Sequence, residues 1–306
     1  MITLRQLRYF EALCRYEHFG KAAEACSVTQ PALSMQIQEL EDLLGITLVE
    51  RRRDGVYVTS EGRDVARRGQ QILTEVRDLT DMAKAFGGLS GDLNIGVIPT
   101  IAPYILADIL PILHDRYPNL RLRVRETLTS QLVQELDEGK LDLLLLALPV
   151  EQAKFEATEV FEDPFVLAVP VAERSAYQSS IRQDELPNER MLLLEEGHCL
   201  RDQALNICAL ADAEKGEVFG MSSLSTLVQM VANNIGVTLL PELCLNVELR
   251  DERIAVVRFA DPQPSRMIGV AWRKTSPCKE SYMAFAEIIK ESHRDLAKKW
   301  RYSETA

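Results

Sequence analysis

Phe19–Gly45 reads FGKAAEACSVTQPALSMQIQELEDLLG, and this stretch decides the fold of the first part of the chain. Ala22, Ala23 and Cys26 form a face of small side chains, which lets another helix approach closely. After the break Ser27-Val28-Thr29-Gln30, Leu33, Ile37, Leu40 and Leu44 recur at intervals of 4, 3 and 4, one helical stripe. Thr29 fits an N-cap, Pro31 is tolerated only in the first turn, and Gly45 stops the helix. Two short helices joined by a tight turn make a helix-turn-helix. Upstream, Leu4, Leu7, Phe10 and Leu13 predict a further helix at the same spacing.

Working outward, LVERRRDGVYVTS places Asp54-Gly55 between two short apolar-alternating runs, a hairpin signal. After a helix-turn-helix such a hairpin is a wing. Arg51, Arg52 and Arg53 on its first side can reach phosphates; the bland alternative is a solvated basic turn. A long helix is predicted from about Glu61 to Phe86. Val65, Gly69, Ile72, Val76, Leu79, Ala83 and Phe86 form a heptad seam along it. The stripe is narrow and its flanks are charged, so a two-helix seam, and hence a homodimer, is favoured over packing on its own domain. GGLSGD, residues 87–92, reads as a flexible linker.

From Leu93 the period changes. LNIGVIPT, LRLRVRE and LDLLLLALP read as strands, separated by the helical stretches IAPYILADILPILHDRYP and TSQLVQELDEGK. FVLAVP, MLLLEEG, SSLSTLVQMVANNIGVTLLP and RIAVVRFA supply a second apolar set. IGVAWRK and a helix from about Lys279 to Lys298 return to the first α/β unit. The expected architecture is mixed: a winged helix-turn-helix, a long linker helix, and a two-lobed α/β domain with a cleft. The expected boundaries are 1–59 for the winged helix-turn-helix, 60–90 for the linker helix and 91–306 for the sensor. Within the sensor, lobe I spans about 91–162 and 268–306, and lobe II about 163–267. Ligands of such sheets bind at the carboxyl ends of strands, which points to Pro99, Thr100 and the loop near Thr129.

The chain has 306 residues and a net charge of -11, which argues against a general nucleic-acid coat. Residues 1–90 carry 12 Lys+Arg against 13 Asp+Glu, and the remainder 23 against 33. The acidity belongs to the later two-thirds, so a DNA-binding surface in the first part must be local. No basic-plus-apolar signal segment opens the chain, and the longest apolar run, Leu143–Val150, is too short for a bilayer. A cytoplasmic, nucleoid-associated protein with reduced thiols and no membrane partner is expected.

The order of helix-turn-helix, wing, linker helix and two-lobed sensor resembles the LysR-type transcriptional regulators. FGKAAEACSVTQPALSMQIQELEDLLGITLVER and VTSEG carry the resemblance, which covers essentially the whole chain. EEGHCLRDQA followed by Cys208, with GVIPTIAPYIL and NIGVTLLP, resembles the OxyR peroxide sensors within that family. The resemblance implies a homotetramer that binds double-stranded promoter DNA through pairs of winged helices, with RNA polymerase as an expected partner. It also implies a peroxide pocket of Thr100, Thr129, His198, Asp202 and Arg266. The sequence itself supports only Thr100, at a strand end, and His198, beside the thiol. In the DNA unit the contacts expected from the residues are Thr29, Gln30, Pro31, Ser34 and Gln38 at the second helix and Arg51 and Arg53 on the wing.

Of the six cysteines, Cys199 and Cys208 raise the chemical question. If the segment between them is helical, nine residues turn it by about 900° and advance it by about 13.5 Å. The thiols then face opposite ways, and a disulfide, which needs Cα atoms within about 7 Å, cannot form without unwinding the helix. A stimulus that forms the bond therefore changes the fold, which is what a sensor needs. Cys199 stands at the start of the helix with Arg201 close by, so a lowered thiol pKa is expected. In the peroxide reading Cys199 is the peroxidatic thiol and Cys208 the resolving one. Buried filler is the bland alternative for Cys208. Zinc lacks its fourth ligand and its C-x-x-C spacing, so no metal and no cofactor are expected. Cys14 and Cys26 fall on core faces, and Cys244 and Cys278 default to filler. Two other functions stay open: a regulator controlled by a small effector in the cleft, its cysteines incidental, and a thiol peroxidase. A non-enzymatic regulator is the expectation, because no peroxidase needs the DNA unit.

Overall fold

The structure is a computed structural model that describes residues 1–52, 55–85, 89–150, 152–187, 190–208 and 221–303. It divides into two compact units, Met1–Ala83 and Lys84–Ala306.

In the first unit, α1 (Leu4–Tyr16) starts with a capping box between Thr3 and Gln6. Helix α2 (Phe19–Ala25) is capped by His18, whose Nδ1 accepts from the Gly20 and Lys21 N–H groups. Helix α3 (Gln30–Leu44) begins at the Thr29 cap with Pro31 in its first turn. It ends at Gly45, whose φ of 68° is the left-handed stop that glycine adopts without strain. Phe10, Leu13, Phe19, Ala22, Ala23, Leu33, Ile37 and Leu40 form the core between the three helices. The wing is the antiparallel pair β1 (Val49–Arg52) and β2 (Gly55–Val58), with Arg52 opposite Gly55. The Glu41 carboxylate accepts the Leu48 and Val49 N–H groups and ties the wing to α3. Arg53 and Asp54 lie outside the described residues.

Helix α4 (Ser60–Ala85) follows the expected span. Its heptad seam divides in two. Val65 is half-buried, and a Cβ on the buried Gly69 would meet Leu7 of α1 at 3.3 Å, so this end packs on its own unit. Ile72 and Leu79 are 47% and 66% exposed, so only the later part presents apolar surface outward. The expectation of one continuous intermolecular seam is corrected to this extent. Phe86 and the first linker residues fall outside the described residues.

The second unit opens with β3 (Gly91–Val97), α5 (Ala102–Arg116), β4 (Leu120–Glu126), α6 (Thr129–Asp137) and β5 (Leu143–Leu148). It continues through β6 (Phe155–Pro170), β7 (Ser180–Ile181), α7 (Cys199–Ile207), α8 (Leu224–Ala232) and β8 (Thr238–Pro241). It closes with α9 (Leu245–Glu248), β9 (Ile254–Phe259), β10 (Ser265–Arg273) and α10 (Lys279–Ser303). Strand order is β4-β3-β5-β10-β6-β9-β7, with β8 also on β6. β3 runs parallel to β4 and β5, as βαβ crossovers require, while β10 is antiparallel to both β5 and β6.

The two lobes are joined by long strands. β6 pairs with β10 as far as Pro164, then from Phe165 pairs with β8 and β9. The apolar run FVLAVP is therefore the second half of one 16-residue strand, not a strand of its own. MLLLEEG makes only isolated bridges, Met191 to Val237 and Leu194 to Met221. Both departures have the same origin: an apolar run encodes burial, and its hydrogen-bond partners depend on distant segments. Cys14 and Cys26 pack half-buried against the first core, Cys244 is fully buried, and Cys278 is partly buried beside the second. No described helix is long and apolar enough to cross a membrane.

The register of β10 against β6 shifts between Ile268 and Gly269. A Cβ at Gly269 would come within 2.4 Å of Leu148 Cδ1 and 2.7 Å of the Thr158 carbonyl oxygen. Gly269→Ala is therefore expected to destabilise the second unit by about 1–3 kcal/mol, the usual cost of overpacking. Urea unfolding checks this; a midpoint equal to that of the parent would contradict the close approach.

Candidate functional site

Two groups of residues carry chemistry, one in each unit. In the first, Thr29, Gln30, Pro31 and Gln38 are exposed along α3, and Ser34 is half-buried. Arg51 Nη2 donates to Ser34 Oγ at 2.6 Å, and the Arg51 guanidinium lies 4.3 Å above the centre of the Phe19 ring. One wing side chain thus touches both helices of the helix-turn-helix. A guanidinium held by a cation–π contact keeps N–H groups for an anion, so the arrangement is preorganised for phosphate.

In the second unit, Cys199 is the first residue of α7, half-buried, behind the N-cap His198. Gly197, at φ 94°, turns the chain into the helix, and a Cβ there would meet Leu128 Cδ1 at 3.0 Å. Leu128 is in turn the N-cap of α6, whose first residue is Thr129. Neither N-cap supplies a side-chain hydrogen bond. Two helix N-termini, each with uncapped N–H groups and partial positive charge, therefore meet at the thiol. Thr129 Oγ1 is buried without a hydrogen bond of regular geometry, yet it faces the sulfur closely enough to favour the thiolate.

Behind the thiol lies a buried ion pair. Arg266 and Asp163 are register partners on β10 and β6, each side chain only 1% exposed. Arg266 Nε donates to Asp163 Oδ2 at 2.9 Å, Nη1 to Thr100 Oγ1 at 2.9 Å, and Nη2 to the Thr100 carbonyl at 3.0 Å. Asp163 Oδ1 accepts the Leu243 N–H at 2.9 Å. Four segments are thereby tied together: the end of β3, the two long strands, and the turn after β8. Removing one partner of such a pair costs about 3–5 kcal/mol, because a buried charge is left uncompensated.

The electrostatics correct two expectations. Burial, the largest influence, pushes the Cys199 thiol above its ordinary value; Arg266, Thr129 and the Leu200 N–H pull down against it, and Asp202 adds to the rise. Cys199 is therefore protonated at neutral pH, not a standing thiolate. The nearby cation is Arg266, not Arg201, whose Nη1 donates to the Leu194 carbonyl at 3.0 Å. His198 is buried and its pKa lowered by that burial, against the pull of Glu195, so it is neutral at neutral pH. Its Nε2 lies 3.9 Å from the Glu195 carboxylate. Cys208, at the far end of α7, is buried, and burial pushes its thiol up to about 11.

Of the pocket residues expected, the structure gathers Thr129, Arg266 and Asp202 around Cys199 and attaches Thr100 through Arg266. Asp202 is exposed on the first turn of α7. Asp163 was not among the expected residues. It stands 103 positions from Arg266, and only the β6–β10 register brings the two together. Among the described residues, no group of three His, Cys, Asp or Glu side chains is placed to hold a metal ion.

Residues 4–63 match the bacterial regulatory helix-turn-helix protein family, lysR family, and residues 86–294 match the LysR substrate binding domain. The chain is 40% identical over 290 residues to the DNA-binding transcriptional dual regulator OxyR of Escherichia coli, covering 94% of this chain and 95% of that protein. Full-length Pseudomonas aeruginosa OxyR, solved with a cysteine-to-aspartate change, superposes with a TM-score of 0.79 at 33% identity, covering 95% of both chains. A cysteine-to-serine mutant of Corynebacterium glutamicum OxyR, solved with H2O2 bound, superposes with a TM-score of 0.67 at 32% identity, covering 96% of this chain and 93% of the other.

A thiol whose pKa is raised is mostly protonated at pH 7, and its thiolate fraction grows about tenfold per pH unit below the pKa. Alkylation of Cys199 by iodoacetamide should therefore be slower at pH 7 than that of a free thiol and climb steadily into the alkaline range. Peptide-resolved mass spectrometry across pH checks this. A plateau already reached at pH 7 would contradict the burial.

Proposed function

The chain belongs to the LysR family of bacterial helix-turn-helix regulators, in the company of the OxyR proteins, and from that footing we propose that it is a transcription regulator that responds to hydrogen peroxide. The observation that carries this reading is Cys199, set where two uncapped helix N-termini and Arg266 meet, with a second thiol at the other end of the same helix.

The chemistry proceeds in two balanced steps. The Cys199 thiolate attacks one peroxide oxygen, the O–O bond breaks, and the departing oxygen leaves as hydroxide and takes up a proton to become water. The sulfur is now a sulfenic acid. The Cys208 thiol then displaces the sulfenic hydroxyl, which leaves as a second water, and the disulfide forms. Thr129 and Thr100 supply hydroxyls for the peroxide, and Arg266 stabilises the negative charge that develops on the departing oxygen. Asp202 and His198 border the pocket, His198 as a neutral imidazole at physiological pH. A raised resting pKa fits this role: the thiolate forms fully only when a substrate is aligned with it, which restrains reaction with chance electrophiles.

The second step has a mechanical consequence. In α7 the two cysteines are nine residues apart on one helix, about 13.5 Å along its axis, and their Cα atoms must come within about 7 Å to bond. The helix cannot survive the bond. Oxidation thus converts a local covalent event into a change of lobe structure, which the DNA units read as a change in spacing.

DNA binding falls to residues 1–59, coupling to the α4 segment at about 60–90, and sensing to 91–306. Within the sensor, lobe I is about 91–162 with 268–306, and lobe II about 163–267. Thr29, Gln30, Pro31, Ser34 and Gln38 face the duplex groove, and Arg51 and Arg53 its phosphates. The exposed later part of α4 supports a homodimer through that helix, and the family supports a homotetramer, with RNA polymerase as the further partner. The site is a stoichiometric switch, not a turnover enzyme, working in the cytoplasm at the nucleoid.

Two experiments test this. Peptide mapping after substoichiometric hydrogen peroxide should find a Cys199–Cys208 link in the parent and none in Cys199→Ser, which should also lose the peroxide response of a reporter promoter. A Cys199→Ser protein that still responds would favour an effector in the cleft. For DNA, Arg51→Gln should weaken binding to every duplex and reduce the salt-dependence slope by about one. A gel-shift salt series with an undiminished slope would remove Arg51 from the phosphate contacts.

A further inference from the structure

We propose that Asp163 governs the reactivity of Cys199: its carboxylate offsets the Arg266 charge that faces the sulfur, and so holds the thiol in check. This rests on the peroxide-sensing reading of the same site and assigns it a further positioning residue, one that acts on the thiol through Arg266.

The hydrogen-bond inventory of Arg266 carries the inference. A guanidinium has five N–H donors in a rigid fork. Nε donates to Asp163 Oδ2 at 2.9 Å, and Nη2 lies 2.9 Å from the same oxygen as an ion-pair contact. An Nη2 hydrogen goes to the Thr100 carbonyl, and one Nη1 hydrogen to Thr100 Oγ1. The second Nη1 hydrogen has no hydrogen-bond partner among the described residues. The cation is thus fixed in orientation by lobe-I groups and by Asp163 together, and both charges are 1% exposed, where water screens them little. The sulfur faces a nearly neutral pair in place of a bare cation. Burial is the largest influence on Cys199 and prevails although Arg266, Thr129 and two helix N-termini all favour the thiolate, an outcome in keeping with a cation offset by its partner.

Asp163 is itself held independently of Arg266, by the Leu243 N–H on its other oxygen. Thr100 accepts two of the three hydrogen bonds that hold the guanidinium. An amide in place of the carboxylate keeps the shape and one acceptor oxygen, so D163N chiefly removes charge. The other titratable groups that feel the pair are Cys244, Tyr104 and His293, with Glu248 and Glu242 close to them and Asp202 on α7 close to the thiol. D163N replaces none of them, and of these Cys244 and His293 lose the upward pull of the Asp163 charge. Reactivity at Cys199 is in this view a setting of the β6–β10 register, which brings Asp163 opposite Arg266.

The test uses the full chain carrying Cys208→Ser, so that no intramolecular disulfide competes, and follows iodoacetamide modification of Cys199 against pH. D163N should move the pH profile down by about one unit and speed alkylation at pH 7 about tenfold. R266Q should move it up, and R266Q/D163N should return it toward the parent, because the pair is removed as a neutral unit. Should either single variant not fold, the comparison of the parent with R266Q/D163N decides alone, since the double variant leaves no buried charge unpaired: an unmoved profile supports the proposal, and a profile moved up as far as loss of the cation alone would move it overturns the proposal. A D163N profile that stays put or moves up, or a double variant indistinguishable from R266Q, overturns the proposal. The readout contains no peroxide, so the two levels separate. A shifted profile, where the chain with both Cys199 and Cys208 forms no disulfide with peroxide, would sink the sensing reading and keep the role of Asp163. A disulfide in the chain with both cysteines, with an unmoved D163N profile, would do the reverse.

Discussion

A single short helix sets the terms for this molecule. α7 carries a thiol at each end and cannot keep its hydrogen bonds while those thiols are joined. Leu200 and Ala204 bury one face of α7 in the lobe core, and Cys208 is buried at its end, so the reduced helix is held by packing rather than by caps. The Cys199 end is the poorly capped one. Uncapped N–H groups cost stability at a helix start, and the same groups stabilise an anion.

The Arg266–Asp163 pair connects that helix to the frame. It sits where β6 passes from one lobe to the other, and its hydrogen bonds reach Thr100 in one lobe and Leu243 in the other. A buried pair is weak as a source of net stability, but it is strict about geometry. A shift of either long strand would break several bonds at once, so the relation of the lobes and the charge beside the sulfur are specified together.

Much of this was legible in the sequence, for definable reasons. The helix-turn-helix announced itself because Leu33, Ile37 and Leu40 are periodic and Thr29 and Gly45 punctuate them locally. Cys199 at a helix start was legible through Gly197 and the apolar spacing of Leu200 and Ala204. What needed the structure is non-local. Arg201 looked like the cation beside Cys199 because it is near in sequence, but its side chain turns to the Leu194 carbonyl, and Arg266 arrives from a strand. The raised thiol pKa follows from burial among distant segments, which no spacing encodes. The heptad seam of α4 was seen in full, yet Leu7 of the same unit occupies its first part, because periodicity identifies an apolar stripe without saying what covers it.

The central claim, that joining the two thiols dismantles α7, is tested most directly by amide hydrogen exchange across residues 199–208 before and after one equivalent of hydrogen peroxide. The account predicts that protection of these amides collapses on oxidation in the parent and is retained in Cys208→Ser. Full protection in a protein shown by mass to carry the Cys199–Cys208 bond would contradict it.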